Sequence, residues 1–482
     1  MTKVPDIASM SSEEKDNLIL ELFTLVAELR AENDRLKRGG HRSAAPFSKN
    51  TPKKNPKRPG RKPGEGNFSR RTAPDPETYS QPVIDVPVTQ TACPTCGEAL
   101  AETRPEIVTV TDIPEVIAPE VLAYKIAICQ CQHCGTTVRG EHPAVAKDQT
   151  GATAHRLGNR LLSTAQWLHY GLGVTTRKIP RIMKDLFGIA LTQSALTQHA
   201  LRQLTGPLAV AYEEIGDAVR QSERVHTDDT GWRIGGTGAY LMGFDTDTES
   251  YYQIRWQHRN EEVREVISSD YAGVMSCDRG TSYDARELLG VRQQKCFSHL
   301  LRSISVVVEQ KQGKSLWFGQ QLQALLREAL SLWHSYHLKK WRPPGWDERV
   351  QAVCAKIDKH LTSRALTDRD NQRLLNEFGT HHDRSNLLRF LDDPRIEPTN
   401  NRAERMLRPA VIARKVSQCS KTEAGALAHA MFMSVIETLR KRSGIDVLDA
   451  LTAILAGGSL PPSTLPPQPD RRSAAFVYSL PR

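Results

Sequence analysis

The hydrophobic and polar positions near the start of the chain form a heptad repeat. It predicts a helix from Ser12 to Arg38, with branched or amide side chains at the a positions and leucine at the d positions. These residues are Ile19, Val26 and Asn33 at a, and Leu22, Leu29 and Leu36 at d. This pattern favours a parallel two-stranded coiled coil. We therefore expect residues 1–38 to be a dimerisation helix; a helix docked on its own chain is the alternative.

A second helical pattern covers residues 149–222. One amphipathic segment runs from Thr175 to Gly188, and another begins near Thr192. Two short helices joined by a glycine turn suit a DNA-binding helix-turn-helix, although the period fits any helical bundle equally well. In the first interpretation, Arg177, Arg181 and Lys184 are candidate phosphate contacts.

From Arg224 onward the alternation of apolar residues predicts strands. Three of them are joined by glycine-rich and acidic turns, which is typical of an antiparallel meander: Val225–Ile234, Ala239–Phe244 and Tyr251–Trp256. Helices and strands then alternate, at Glu261–Ile267 (helix), Gly273–Cys277 (strand), Tyr283–Leu289 (helix), Arg292–Phe297 (strand) and His299–Glu309 (helix). This is the element order of a ribonuclease-H-like α/β core, which is the fold we expect.

The rest of the pattern is helical. Residues 311–393 are predicted to be an all-helical insertion between the two parts of the core, residues 223–310 and 394–456. A late helix packed on the core is marked by Leu427, Met431, Val435 and Leu439. The tail, residues 457–482, is rich in Pro and Ser and is expected to be disordered. The fold class is therefore multidomain α/β.

Composition adds an argument about the partner. Lys and Arg number 65 against 55 Asp and Glu, a net charge of +10, which suits double-stranded DNA. Residues 39–80 form a flexible basic linker, which either contacts DNA or only keeps the chain in solution. The candidate DNA contacts are Lys53, Lys54, Lys57, Arg58, Arg61 and Lys62. With no long apolar run and no signal peptide, we expect a cytoplasmic, nucleoid-associated bacterial protein that makes no membrane contact.

Cysteines cluster in residues 81–148. Cys93-Pro-Thr-Cys96 and Cys131-Gln-His-Cys134 are paired CxxC units, a spacing with which four thiolates bind one structural Zn²⁺. Cys129 and His133 are spare candidate ligands. We predict a zinc ribbon-like module and no catalytic zinc, because four cysteines leave no open coordination position.

Acidic residues predict a second metal site. Asp228 and Asp229 lie near the end of the first core strand, and Asp278 directly follows the strand Gly273–Cys277. Carboxylates are the ligands that Mg²⁺ or Mn²⁺ prefer, and two such ions roughly 3.5–4 Å apart carry out phosphoryl transfer. The sequence therefore indicates metal-dependent chemistry on a phosphate backbone.

A third acid comes from the segment after the insertion. Glu404 lies on a predicted helix, on which Asn400, Glu404 and Arg408 share one face. Glu397 is the rival, but it precedes Pro398 and falls outside that helix. A surface ion pair with Arg405 or Arg408 is the other explanation for Glu404.

Taken in order, these motifs resemble those of the DDE transposases of the insertion sequence 66 family, over most of the chain. Besides the heptads, linker, knuckles and helical segment, the matching motifs are His226-Thr-Asp-Asp-Thr230, Cys277-Asp278 with Tyr283, Cys296-Phe-Ser-His299 and Asn400-Asn-Arg-Ala-Glu-Arg-Met-Leu-Arg-Pro409. The last is the most specific. The family usually has Asp-Glu-Thr where this chain has Asp228-Asp229-Thr230, a change we expect to be tolerated.

The resemblance implies a catalytic triad of Asp228, Asp278 and Glu404 that holds Mg²⁺ or Mn²⁺. Residues expected to support the site are Asp229, Cys296, His299, Asn400 and Arg408; for Cys296 and His299, a buried thiol and a helix-starting histidine are the alternative. The implied activity is cleavage and joining of element ends that bear terminal inverted repeats, in a dimer or larger assembly, with small accessory proteins in some members. A repurposed DNA-binding regulator and a nuclease without strand transfer are the alternatives.

Overall fold

The computed structural model describes residues 10–40, 74–100, 107–114, 117–142, 145, 148–151, 154–339, 344–416 and 419–463. The chain divides into two compact units, residues 47–121 and residues 1–46 with 122–482. No helix in the described ranges is long and apolar enough to cross a membrane.

The strands of the described residues form a small ribbon and one larger sheet. They are β1 (Ile128–Gln130), β2 (Thr137–Arg139), β3 (Arg224–Ile234), β4 (Thr237–Asp245), β5 (Ser250–Arg255), β6 (Val274–Cys277) and β7 (Arg292–Lys295). The five later strands lie in the order β5-β4-β3-β6-β7. β3, β4 and β5 are antiparallel neighbours, which confirms the meander, whereas β6 pairs parallel to β3 and β7 parallel to β6.

Helices account for most of the remaining described chain. They are α1 (Ser12–Gly40), α2 (Asn159–Gln166), α3 (Ile179–Phe187), α4 (Gln193–Arg202), α5 (Pro207–Arg220), α6 (Asn260–Arg264), α7 (Phe297–Glu309), α8 (Ser315–Lys339), α9 (Trp346–Leu361), α10 (Arg369–Asp383), α11 (Arg389–Asp392), α12 (Asn401–Lys415), α13 (Glu423–Arg440) and α14 (Val447–Leu455). A π-helical turn, Trp167–Gly171, directly follows α2. The chain is a mixed α/β protein, as predicted.

Alternation along the strands gives the sheet two apolar faces. Met242 and Phe244 of β4 share a core with α5, α13 and α14. Leu241 of β4 and Tyr252 of β5 belong to another core, which is closed by α12. Successive side chains of a strand point to opposite faces, so helices cover both sides of the meander.

The helical insertion packs with α7 and covers the outer edge of β7. Its described helices, α8 to α11, share one core with α7. The backbone N–H of Lys295 donates to the carbonyl of Asn386 (2.9 Å), and the Gln294 amide donates to that of Leu387 (2.9 Å). These bonds explain why a strand of glutamine and lysine is buried.

Some element predictions are wrong. Residues 283–289, expected to be helical, lie instead in and between two 3-10 turns, Thr281–Tyr283 and Arg286–Leu288. The Gln293 amide donates to the carbonyls of Tyr283 (2.8 Å) and Leu288 (3.4 Å), so these groups bond across to β7 rather than along a helix. Of the late apolar stripe, Leu427 is exposed while the other three residues are buried.

The candidate DNA-binding segment forms its two helices with standard end signals. Gly188 ends α3 at φ +67°, and the Thr192 hydroxyl accepts a hydrogen bond from the N–H of Ala195 (3.1 Å) at the start of α4. α3 begins at Ile179, later than the pattern indicates. Ile179 and Leu196 meet in a small core shared with α2.

Each cysteine pair forms the same turn. In residues 47–121, the N–H of Gly97 donates to the carbonyl of Cys93 (2.9 Å), with Gly97 at φ +81°. In the other unit, the N–H of Gly135 donates to the carbonyl of Cys131 (2.9 Å), with Gly135 at φ +73°. Between the two pairs, the described residues contain one strand, β1.

α1 extends over the predicted helix. Its described heptad residues Ile19, Leu22, Val26 and Leu29 are all exposed. The apolar stripe is therefore present on the helix and not covered by the described residues.

Candidate active site

Strand register brings Asp228 and Asp278 to the same level of the sheet. His226 of β3 pairs with Ser276 of β6, and each aspartate lies two residues further along its strand direction. Asp228 lies in the middle of β3 and not near its end as predicted, because β3 continues to Ile234 through its pairing with β4. What ends at this level is the parallel partner β6, so both aspartates lie where the parallel part of the sheet stops.

Helix α12 adds Glu404 to these two acids. Its residues Met406 and Leu407 pack on β4 at Gly243, the residue that pairs with Asp228. A Cβ at Gly243 would lie 3.0 Å from the Met406 sulfur, so the missing side chain lets the helix approach the sheet closely. The first turn of α12, which carries Glu404, is thereby held beside the aspartates.

The charges of these acids act on one another. Burial raises the pKa of Asp228 to about 7, with the negative charges of Asp278, Asp229 and Glu404 adding to the effect and a hydrogen bond from the N–H of Asp229 opposing it. In the described residues, Asp228, Asp278 and Glu404 have no ion pair, which counts against a surface pair of Glu404 with Arg405 or Arg408.

These carboxylates fit a divalent cation in their chemistry. They are hard oxygen donors, and their mutual repulsion has no neutralising partner within the described chain. In this arrangement they do not form a complete metal-binding site, because no group of three or more His, Cys, Asp or Glu side chains in the described residues is positioned to hold a metal ion. The acids would therefore have to draw together around the ion.

Asp229 contacts a histidine that no sequence motif identifies as a site residue. His258, in the loop between β5 and α6, places Nδ1 3.1 Å from Asp229 Oδ1. Burial alone would lower the pKa of His258, but the Asp229 bond and the nearby acid charges outweigh it and raise that pKa. No spacing or motif marks His258, since it is brought to the site by the turn after β5.

Cys296, His299 and Asn400 lie together beside the acids. The backbone N–H of Asn400 donates to Cys296 Sγ (3.2 Å), and the Asn400 amide donates to the carbonyl of Thr227 (2.7 Å). A hydrogen bond with Cys296 raises the pKa of His299, and the charges of Asp278 and Glu404 add to this. Cys296 and His299 are thus near the acids, as the resemblance implies.

Behind the site is a fully buried lysine. Lys295 Nζ lies 2.9 Å from Asp284 Oδ1 and 3.5 Å from Cys277 Sγ, next to Asp278 in the chain. The Lys295 side chain has no exposed surface. Sequence reasoning missed it, because a Lys in a polar strand indicates an exposed edge.

The other predicted residues lie elsewhere. Arg408 is one turn beyond Glu404 on α12 and lines a cavity that extends to α13. Arg177, Arg181 and Lys184 are exposed, with Arg181 paired to Asp185 (3.2 Å). The linker residues Lys53, Lys54, Lys57, Arg58, Arg61 and Lys62 lie outside the described residues.

The fold is thus a mixed α/β sheet that gathers three acidic side chains where its parallel strands end. Comparison with protein-family models places residues 155–428 in the family described as Transposase IS66 family. The matched range covers more than half of the chain and includes all three acids. The chain belongs to the IS66 transposase family. A comparison with curated proteins found no match.

Proposed function

We propose that this transposase binds the terminal inverted repeats of its insertion sequence, cleaves DNA there and joins the freed ends to a target. The observation that carries the proposal is the meeting of Asp228, Asp278 and Glu404, which form no ion pair within the described residues; burial raises the pKa of Asp228, and the charges of the other two acids add to this effect. A meander flanked by two parallel strands supports a ribonuclease-H-like core.

In this proposal the three carboxylates hold Mg²⁺ or Mn²⁺. Asp228 would contribute to binding the ions together with Asp278 and Glu404. The bound ions supply activation of a water or 3′-hydroxyl and stabilisation of the leaving oxygen. Asn400 fixes the start of α12 and so orients Glu404, and His258 orients Asp229 at the rim of the site.

The test is cleavage of a supercoiled plasmid that carries the ends of the element, in Mg²⁺. The variants are Glu404→Gln and, as a matched control, Glu397→Gln. We expect wild type and the control to cut at the ends and Glu404→Gln to lose this activity. Equal cleavage by wild type and Glu404→Gln would overturn the assignment of the third acid.

A second measurement separates the alternatives. Transfer of a labelled 3′ end into another duplex is expected from a transposase and not from a simple nuclease. Specific end binding without cleavage by wild type, even with the accessory proteins of the element added, would favour a regulator. The absence of ion pairs at the acids favours the enzyme.

The remaining modules extend the proposal. The exposed Arg177, Arg181 and Lys184, together with the basic linker, would contact phosphates, and the exposed stripe of α1 would pair two chains. Structural Zn²⁺ at Cys93, Cys96, Cys131 and Cys134 is supported by the matching turn of each pair. A hydrogen bond with Thr136 lowers the pKa of Cys134 to about 7, which favours a thiolate ligand. Zinc content, measured on wild type and Cys131→Ser, tests this.

A further inference from the structure

A cavity of about 280 Å³ lies between the π-helical turn Trp167–Gly171, helix α12 and helix α13. This volume is just below the range of roughly 300–1,000 Å³ typical of small-ligand pockets, so it suits one flat ring and not a stretch of polymer. Nothing in the proposed cleavage chemistry uses it.

One wall of the cavity is aromatic and rigid. The Tyr170 ring stacks on Phe432, with centroids 4.5 Å apart and an angle of 3° between the planes. The His169 ring meets Tyr170 edge-on at 4.5 Å, and its Nδ1 lies 2.8 Å from the carbonyl oxygen of Val174. Rings held in this way offer a stacking surface that needs little ordering when a ligand binds.

Two glycines, in and just after the π-helical turn, let this wall pack closely on α13 without filling the cavity. A Cβ at Gly171 would lie 3.0 Å from the Trp167 ring and 3.3 Å from Arg440, so the turn packs tightly on α13 only because this residue is glycine. Gly173, at φ +69°, has no neighbouring atom within 4 Å of where a Cβ would be. The turn therefore bends away without filling the cavity.

The cavity also contains a buried polar group that lacks a partner. His429 on α13 is 5% exposed, lines the cavity and has no hydrogen-bond partner for Nε2 in the described residues. Burial lowers the pKa of His429 to about 3, so its ring is neutral at physiological pH. The Nε2 atom of a neutral imidazole donates or accepts one hydrogen bond, depending on the tautomer, so it can bond to one polar group on the edge of a nucleobase.

Two arginines on α12 complete the cavity. Arg405 and Arg408 are exposed, line the cavity and form no ion pair within the described chain. Arg405 directly follows Glu404. Arg408 lies four residues after Glu404, about 6 Å along the helix axis. A phosphate bound by either arginine would be within a few nucleotides of a bond at the acids.

We propose that this cavity receives a single unstacked nucleotide of the DNA end: its base stacks on the Tyr170 and His169 wall and bonds to His429, and Arg405 and Arg408 hold its flanking phosphates. This proposal rests on the proposed function and adds a binding site to it. Stacking of the base on aromatic side chains, together with the bond to His429, would offset the cost of removing the base from the duplex stack.

The test uses duplexes of the element end that carry 2-aminopurine singly at each position flanking the cut, with Ca²⁺ in place of Mg²⁺. 2-Aminopurine fluoresces more strongly when it is unstacked. The blocking variant is Ile412→Trp, at a half-exposed residue that lines the cavity. Its matched control is Val416→Trp, which is equally exposed, lies one turn further on and is not part of the lining. 2-Aminopurine is excited at a wavelength longer than tryptophan absorbs, so the introduced tryptophan does not contribute fluorescence.

We expect a severalfold rise in fluorescence at one position with wild type and Val416→Trp, and none with Ile412→Trp, while gel shifts show that all three proteins bind the duplex. Arg408→Gln should lower the slope of log affinity against log salt by about 1, as for the loss of one phosphate contact. Binding without a rise in wild type, or an equal rise in Ile412→Trp, overturns the nucleotide site alone. Failure of wild type to bind the ends specifically removes the proposed function as well.

Discussion

Asn400 offers the sharpest test of how the fold holds the third acid. Its side chain is 1% exposed, and its amide donates to the carbonyl of Thr227 in β3 at 2.7 Å. Its N–H donates to Cys296 Sγ at 3.2 Å, and its carbonyl accepts the N–H of Glu404 at 3.2 Å. One residue therefore joins the central strand, the start of α7 and the first turn of α12.

Replacing Asn400 by Ala removes the amide bond to β3. A lost buried hydrogen bond that leaves its partner unsatisfied costs about 1–3 kcal/mol, so we expect the free energy of unfolding to fall by about 2 kcal/mol. We also expect a larger effect on cleavage, because a shift of about 1 Å in a catalytic group can cost about 100-fold in rate. The assays are urea unfolding followed by circular dichroism and plasmid cleavage well below the unfolding transition.

The matched control is Asn401→Ala, an exposed neighbour on the same helix. It should change stability by no more than about 0.5 kcal/mol and leave cleavage unchanged. If Asn400→Ala loses the expected stability and still cuts at the wild-type rate, Asn400 does not position Glu404. The same conclusion follows if Asn401→Ala impairs cleavage as strongly.

Three further changes probe other parts of the core. Asp284→Asn should lower the free energy of unfolding, measured with urea, by about 3–5 kcal/mol, because it leaves a buried cation unpaired. Lys295→Met should lower it less; the reverse order would contradict this. Gly243→Val should cost about 1–3 kcal/mol and slow cleavage by displacing α12, whereas Gly238→Val on the same strand, where a Cβ meets no neighbour, should do neither. Burial lowers the pKa of His199 from 6.5 to about 4, so the unfolded chain takes the proton first as the pH falls. His199 should therefore contribute a loss of about 1.4 kcal/mol in stability per unit of pH below 6.5, and the total slope should be smaller by this amount in His199→Leu; an unchanged slope in the variant would refute this.

Much of the fold could be predicted because its signals are local. The meander and the helices of the insertion follow from the period of apolar residues, which is 2 in strands and 3.6 in helices. Asp278 was located because it directly follows a short apolar strand, and Glu404 because its motif lies on a helix. These are properties of neighbouring residues, which the sequence contains in full.

What only the tertiary structure decided depends on partners far apart in the chain. Residues 283–289 have a helical period but bond to Gln293, and β7 is polar yet buried because the insertion supplies its hydrogen-bond partners. His258 reaches Asp229 only through the turn after β5. The cavity beside Arg408 exists only because α12, α13 and a π-helical turn meet there. Local periodicity determines whether each segment is a helix or a strand. Burial and hydrogen bonding between distant elements determine which polar residues are brought together. These long-range interactions cannot be evaluated until the chain has folded.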